Sequence, residues 1–566
     1  MTPRPGSART TIAIALLCVA IYAPAAALTP FFTKGEPREG VVVRQMLEAG
    51  DWLLPRRLSP EGASIASKPP LFHWLAAGAS AAIGRTSEWS VRLPSLVLAT
   101  VAAVLVWRIG GTVLAPTAGL AGAVVLATTF EWVRAASTAR VDATLTAFMT
   151  AGLLLLYRGF VRDGLTRGET LAAAACFVCA TLAKGPVGFA LPALVLAVAL
   201  IAHGRIRSLP RFHPLLGVAV VLALVGAWYL TASLLGGDAF VRRQILKENV
   251  FRFLGASRLK SGHVHPFYYY VPALAAGFLP WTPFLVGAVV AALRNASARR
   301  DPRVAFLLAW VGVVFVFYSV ASAKRSVYLL ALYPGAALLT GWWWAELTRG
   351  ALAPRWLRGG AARAVAAVAC VAAAAPVLLA LAEGFGLAPL DRIAPLLHHR
   401  DRANLPLVRA AIDAYLPLAL AGATVLLGTL IASFRALRRE DWARLLGAQA
   451  CFAAVLWILV FGVFQPVLAG KRSLEPFMQL ATREAGGQPL FFYPSTFDYG
   501  AAFYAPAGIT NWRPGESSAA APRYVLIWDT VLARLPESER AALEVLATSD
   551  GTDPNGRMHM VLARRR

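Results

Sequence analysis

Lysine is scarce in this chain. Only seven of its 566 residues are lysine (Lys34, Lys68, Lys184, Lys247, Lys260, Lys324 and Lys471), so the 55 basic residues leave 55 − 7 = 48 arginines. Acids are scarce too: 30 Asp and Glu give a formal net charge of +25. Charged residues make up 15% of the chain, well under the roughly 25% usual in soluble domains. The five cysteines, Cys18, Cys176, Cys179, Cys370 and Cys451, all lie inside apolar runs, which excludes a disulfide framework. Cys176 and Cys179 form a C-x-x-C with no second pair, so they read as buried free thiols and not as a metal or redox site. There is no internal repeat and no low-complexity linker.

Apolar length is what the chain has in abundance. It is 58% hydrophobic with a mean hydropathy of +0.59, above the roughly 45–50% of soluble domains. Apolar runs recur at 11–29, 90–107, 114–130, 141–157, 169–182, 186–202, 214–233, 267–290, 304–321, 326–346, 362–382, 413–434 and 443–467. Nearly all reach the span-competent length of about 17 residues, predicting about thirteen transmembrane helices. The first run is read as a span and not as a cleaved signal, because no clear small-x-small site follows it.

Arginine sets the expected orientation. It concentrates on alternate connections: Arg4 and Arg9, Arg108, Arg158 to Arg167, Arg205 to Arg211, Arg294 to Arg303, Arg349 to Arg358, and Arg435 to Arg444. Short basic loops stay in the cytoplasm, which puts the N-terminus inside and, with an odd number of spans, the C-terminus outside. The positive charge is thereby explained by topology, and no nucleic-acid partner is implied. All seven lysines fall on connections assigned to the outer side.

Three outer segments carry the polar chemistry. The first loop, 31–90, should hold a short helix opened by Pro37 and closed by Gly50. Its apolar residues Val42, Val43, Met46 and Leu47 suit a helix lying in the membrane interface. The second segment, Leu234 to Pro266, carries Glu248, His263 and His265. The third is the tail, 469–566, whose composition becomes that of a soluble α/β domain. Gln488–Tyr493, Arg523–Trp528 and Met558–Leu562 read as strands, and Pro536–Thr548 reads as a helix. The predicted organisation is a membrane domain over 1–468 and a soluble outer domain over 469–566.

Within these segments, Glu36 and Glu39 lie three residues apart on one helix face. Each can be a general base or metal ligand, and Glu36 can equally be a favourable charge at the helix start. Lys68 sits in Ser67-Lys-Pro-Pro70, Lys184 in Lys184-Gly-Pro186, and Lys324 with Arg325 in a short hairpin. Ammonium groups in rigid Pro-bounded turns are suited to holding phosphate, the alternative being contact with lipid headgroups. Asp142 begins the fourth span beside Arg140, as a functional acid or a structural partner. His263 and His265 are read as polar lining or a metal site.

These residues fall in motifs that resemble the GT-C superfamily of membrane glycosyltransferases, specifically the bacterial aminoarabinose-transferase and protein-O-mannosyltransferase-like group. The motifs are Gly35-Glu-Pro-Arg-Glu39, Met46 to Pro55, Lys68-Pro-Pro-Leu-Phe-His-Trp74, Val91-Arg-Leu-Pro-Ser95 and Arg140-Val-Asp142. They continue through Leu182-Ala-Lys-Gly-Pro186, His265-Pro-Phe-Tyr-Tyr269, Leu279-Pro-Trp281 and Tyr328 to Pro334. They run in order over about the first 345 residues and are specific as a set.

The resemblance implies a GT-C fold and an inverting transfer of sugar from a polyprenyl-phosphate carrier to an acceptor. The acceptor would be lipid A, another glycolipid or a protein, at the outer face of a bacterial inner membrane. By motif it implies Lys68 and Lys184 as phosphate ligands, with Lys324, Arg325, Arg38 and Tyr328 as further carrier-binding candidates. Glu36, Asp142 and Glu39 are the implied catalytic acids. Many members carry Asp-Glu where this chain has Gly35-Glu36, and an acid where it has Ser67. His263 is the candidate metal ligand, so a divalent metal is the one cofactor to consider. The alternatives are an inactive carrier-binding protein and a transporter or flippase, which would carry its charges at mid-span.

Overall fold

The computed structural model describes residues 7–59, 62–251, 265–350, 379, 382–397, 402, 405–506, 509–512, 522–553 and 556–565. Among these, seven helices are long and apolar enough to cross a membrane: α1 (Ala8–Leu28), Glu88–Val113, Val141–Arg162, Pro214–Leu246, Pro302–Val320, Leu416–Arg438 and Trp442–Ala485. The apolar run at 267–290 forms two helices bent by 115° at a break, Phe267–Gly277 and Thr282–Arg294. Shorter apolar helices cover Leu71–Ile83, Pro116–Ala127 and Val187–Ala202. The run expected at 362–382 lies almost wholly outside the described residues.

Two expected spans have a different reason for being apolar. The run at 114–130 is a 12-residue helix, Pro116–Ala127. The run at 326–346 becomes a 3-10 turn, Ser326–Leu332, followed by the helix Tyr333–Arg349. Tyr333–Arg349 is buried nearly all round, including Trp343 and Trp344. An ideal Cβ on its Gly341 would stand 2.3 Å from the carbonyl oxygen of Ala118, so the two helices meet backbone to backbone. Hydrophobicity on every side here reflects burial in protein.

The chain between the first two spans folds as α2 (Glu36–Ala49), a hairpin of β1 (Arg56–Ser59) with β2 (Gly62–Ile65), and α3 (Leu71–Ile83). Pro37 stands in the first turn of α2, and Gly50 ends it at φ 73°, where a side chain would be strained. The apolar face of α2 does not lie on lipid. Val41, Val43 and Met46 join Phe31 and Phe72 in one core with Phe477, Met478, Phe503 and Leu526 of the tail. The first loop and the tail therefore sit together at one end of the helical bundle.

The tail carries a five-stranded sheet in the order β4-β3-β5-β7-β6, with β3 (Leu490–Phe492), β4 (Thr510–Asn511), β5 (Tyr524–Trp528), β6 (Leu543–Thr552) and β7 (His559–Arg565). Strand β3 runs parallel to β4 and β5, while β7 pairs antiparallel with β5 and β6. The segment read as a helix from Pro536 to Thr548 is corrected. It holds a five-residue helix, Glu537–Ala541, and then β6, whose residues pair with β7 through two register shifts. Tertiary pairing overrides local helix preference there.

A six-residue helix of the tail, Tyr499–Tyr504, is fastened to α2. The Arg44 guanidinium donates to the carbonyls of Ala502 (2.6 Å), Phe503 (2.9 Å) and Ala505 (2.9 Å), capping its free C-terminal acceptors. Tyr504 donates to Glu88 at 2.6 Å and accepts from the Phe31 N–H at 2.7 Å. Gly40 leaves room for the Phe503 ring, since an ideal Cβ there would stand 2.7 Å from it.

Candidate active site

Four separate pieces of chain bring the candidate residues together. Asp142 lies in the first turn of Val141–Arg162, where the helix dipole favours a carboxylate. Lys184 is the last residue of the neighbouring helix Arg167–Lys184, which ends at Gly185 with φ 115°. The two helices pack side by side, and Lys184 forms an ion pair with Asp142. Lys68 follows β2, with its backbone carbonyl and that of Ala66 held by the Gln244 amide at 3.1 and 2.9 Å. Its ammonium meets Glu248 at 2.6 Å. Glu248 arrives on the π-helical segment Val241–Phe251.

Two hollows meet at these pairs. A polar cavity of about 540 Å3 is lined by cations from Lys34, Arg38, Arg57, Lys68, Arg140, Lys184 and Arg325 and by carboxylates from Glu39, Asp142 and Glu248. Among the described residues, seven positive groups against three negative ones make an anion-attracting site. A mainly apolar groove of about 340 Å3 adjoins it, with Pro186, Val187, Ala190, Phe317, Tyr318 and Ala323 in its walls. Lys68, Lys184, Glu248 and Tyr328 line both. The Lys184 ammonium lies 4.1 Å from the Tyr328 ring centroid, a cation–π contact.

The three candidate acids have different surroundings. Glu36 is 1% exposed and does not line the cavity. Arg92 clamps it through two hydrogen bonds of 2.8 and 3.2 Å, and the Ala139 N–H donates to it at 2.9 Å. Arg92 also donates to the carbonyls of Ala26 and Thr29. This pair fastens the first loop to the first two spans. Glu39 does line the cavity, but its oxygens are occupied by Arg38 (3.1 Å from Nε) and by His73 Nε2 (2.8 Å). Burial works to raise the Glu39 carboxyl, yet Arg38 and His73 outweigh it and hold it well below the usual carboxylate range. Asp142 lines the cavity beside Lys184, and not in a pair with Arg140.

The carrier-binding candidates also separate. Arg38, Arg325 and Tyr328 line the cavity with Lys68 and Lys184. Lys324 turns away, donating to the carbonyl of Ala321 at 2.7 Å. His263 lies outside the described residues. His265 stacks on Tyr269 with ring centroids 4.3 Å apart. No group of three metal-ligating side chains occurs among the described residues. Each cavity carboxylate faces a cation.

Sequence reasoning assigned no role to Glu248, Arg57, His73, Arg92 or Tyr499. Arg92 and His73 stand inside the motifs quoted above, but only the fold shows what they hold. Tyr499 reaches the cavity from the tail. Its one local signal is Asp498, which caps the start of its helix by accepting from the N–H groups of Gly500 and Ala501.

Parts of the chain, and its fold, are similar to known proteins. Residues 67–230 match a family described as dolichyl-phosphate-mannose-protein mannosyltransferase. The chain is 29% identical over 321 residues to an undecaprenyl phosphate-alpha-4-amino-4-deoxy-L-arabinose arabinosyl transferase of Pectobacterium atrosepticum, covering 54% of each chain. It is 28% identical over 303 residues to an uncharacterized protein of Aquifex aeolicus, covering 52% of this chain and 56% of that one. The chain thus matches about half the length of these curated relatives. Among solved structures, ArnT from Cupriavidus metallidurans bound to undecaprenyl phosphate superposes with a TM-score of 0.76 at 20% identity, over 99% of this chain and 98% of that one. That likeness establishes the fold. Architecture and the structural likeness together give the chain the polytopic membrane fold of the GT-C type. Over about half its length, the chain is similar to undecaprenyl-phosphate aminoarabinose transferases.

Proposed function

We propose that the protein is a glycosyltransferase that takes a sugar from a polyprenyl-phosphate carrier and gives it to lipid A or another envelope acceptor. The observation that carries this reading is the junction of an apolar groove and a cation-lined cavity at Lys68, Lys184 and Tyr328. A polyprenyl-phosphate sugar has the same order of parts: an apolar chain, one phosphate and a polar head. The lipid end fits the groove, the phosphate fits the two ammonium groups, and the sugar fits the polar cavity.

The chemistry follows from the charges. An acceptor oxygen attacks the anomeric carbon while the bond from that carbon to the phosphate oxygen breaks with inversion, and the bonding pair leaves with the phosphate. Lys68 and Lys184 stabilise the charge that develops on it. The leaving group needs no proton, so no general acid is required. Phosphate arriving at the lysines competes with Asp142 and Glu248 for them. Asp142, released from Lys184, is the carboxylate placed to accept a proton from an acceptor hydroxyl. Glu39 is the weaker base, because Arg38 and His73 suppress its proton affinity. Glu36 serves as an anchor through Arg92.

This reading places the cavity at the non-cytoplasmic face of a bacterial inner membrane, with residues 1–468 as the membrane body and 469–566 as the outer domain. Sugar transfer from polyprenyl-phosphate donors, assayed in membranes containing wild-type protein, Lys68→Ala or Asp142→Ala, tests it. Loss of transfer in both variants is expected. Full transfer in both would overturn the reading and favour a carrier-binding or carrier-moving protein.

A further inference from the structure

The polar cavity is not built by the membrane helices and first loop alone. Its wall includes Tyr499, about 430 residues from Lys68 along the chain, delivered by the tail helix that Arg44 and Phe503 fasten to α2. Among the described residues, Tyr328 and Tyr499 are the two aromatic rings in that wall. Tyr328 also borders the lipid groove and carries the Lys184 ammonium. Tyr499 borders the polar cavity and not the groove. Phe497 braces it edge to face at 5.0 Å, with the rings at 88°, and both pack against the core shared by the first loop and the tail. The Tyr499 hydroxyl makes no hydrogen bond with the described residues, and the Arg38 and Arg243 guanidinium groups lie nearby.

We infer that Tyr499 is a sugar-recognition residue: its ring supports the donor sugar and its hydroxyl is available to a sugar hydroxyl or amine. The inference rests on the proposed glycosyltransferase reading and adds a role for the tail, which becomes part of the donor site. A pyranose presents an apolar C–H face and a polar rim. A partly buried aromatic ring in the cavity wall, carrying a phenol and set among charged groups, matches both. Because the tail reaches the sugar side of the site and not the lipid side, its contribution acts on the sugar and not on the carrier.

The test uses the full-length protein in lipid nanodiscs and two kinds of probe. These are bare undecaprenyl phosphate and a panel of undecaprenyl-phosphate sugars including 4-amino-4-deoxy-L-arabinose, mannose and glucose. Wild-type protein should bind at least one sugar-bearing carrier more tightly than the bare carrier. Tyr499→Ala should weaken that preference by about three- to tenfold, the size of one lost aromatic contact, and leave bare-carrier affinity unchanged. Tyr499→Phe, which keeps the ring, should keep most of the preference. Equal binding of every probe by Tyr499→Ala and wild type would overturn the inference. Equal loss of bare and sugar-bearing carriers would do so too, since it would mark a structural role. If no carrier binds the wild type, the glycosyltransferase reading itself falls, a result distinct from failure of the Tyr499 role alone.

Discussion

The Glu36–Arg92 pair and the Asp142–Lys184 pair join the same kinds of group, but they differ in access. Side chains of the first pair are 1% exposed on both partners. Those of the second are 12% and 13% exposed, and those of Lys68 and Glu248 are 14% and 19%. Glu36 is fully engaged by Arg92 and the Ala139 N–H, whereas the other two pairs face a cavity with an excess of positive charge. A sealed, saturated ion pair fixes geometry. An open pair can exchange one partner for an incoming anion. On the proposed reading, the first pair anchors and the second handles phosphate.

The contrast can be broken from either side. The largest effect is expected from Arg92→Met, which leaves the Glu36 carboxylate buried without its partner. A cost of about 3–5 kcal/mol is expected, read as loss of folded protein in thermal unfolding and membrane yield. Lys184→Ala should behave oppositely, retaining wild-type yield while sugar transfer falls by about 10²–10³-fold. A variant that lost yield and transfer together would erase the distinction. Asp142→Asn removes a proton acceptor while keeping shape, and transfer to a hydroxyl acceptor should fall by about 10²-fold or more. Carrier binding should not weaken, since the phosphate would then meet less competition.

A fourth prediction concerns the tail. Gly40→Val places side-chain atoms against the Phe503 ring, and overpacking of this kind costs about 1–3 kcal/mol. Limited proteolysis should cut the tail of that variant faster than that of wild type. The smallest effect concerns Glu39. Its carboxyl lies below the ordinary range when folded, so it binds protons less readily there than in the unfolded chain. Its stabilisation is complete above the ordinary carboxylate range near pH 4 and is lost as pH falls through the lower folded value. Glu39→Gln should therefore flatten the acid limb of the stability–pH profile. An unchanged limb would show that the Arg38 and His73 contacts contribute nothing.

Features set by local chemistry were legible in the sequence. Pro37 and Gly50 bound α2 within a residue, and the strands at 490, 524 and 559 follow their β-branched and aromatic runs. Lys184 was marked by the Gly-Pro that ends its helix. What escaped depends on packing between distant segments. The helix Tyr333–Arg349 is as apolar as a lipid-facing span, because burial in protein and burial in lipid select the same residues. The apolar face of α2 suggested an interface helix, since nothing local announces that Phe503 will cover it. Glu36 and Glu39 share a helix face in the sequence. Only Arg92, reaching across from a span, separates the anchor from the cavity acid. Tyr499 was invisible for the same reason.

The central claim is that Lys68 and Lys184 together hold the carrier phosphate where groove and cavity meet. Undecaprenyl phosphate binding, measured on the full-length wild type and on Lys68→Ala/Lys184→Ala, tests it most directly. The account predicts a loss of about 30-fold or more, two charge-assisted contacts at roughly 1–3 kcal/mol each, with folding unchanged. Wild-type affinity in the folded double variant would contradict it.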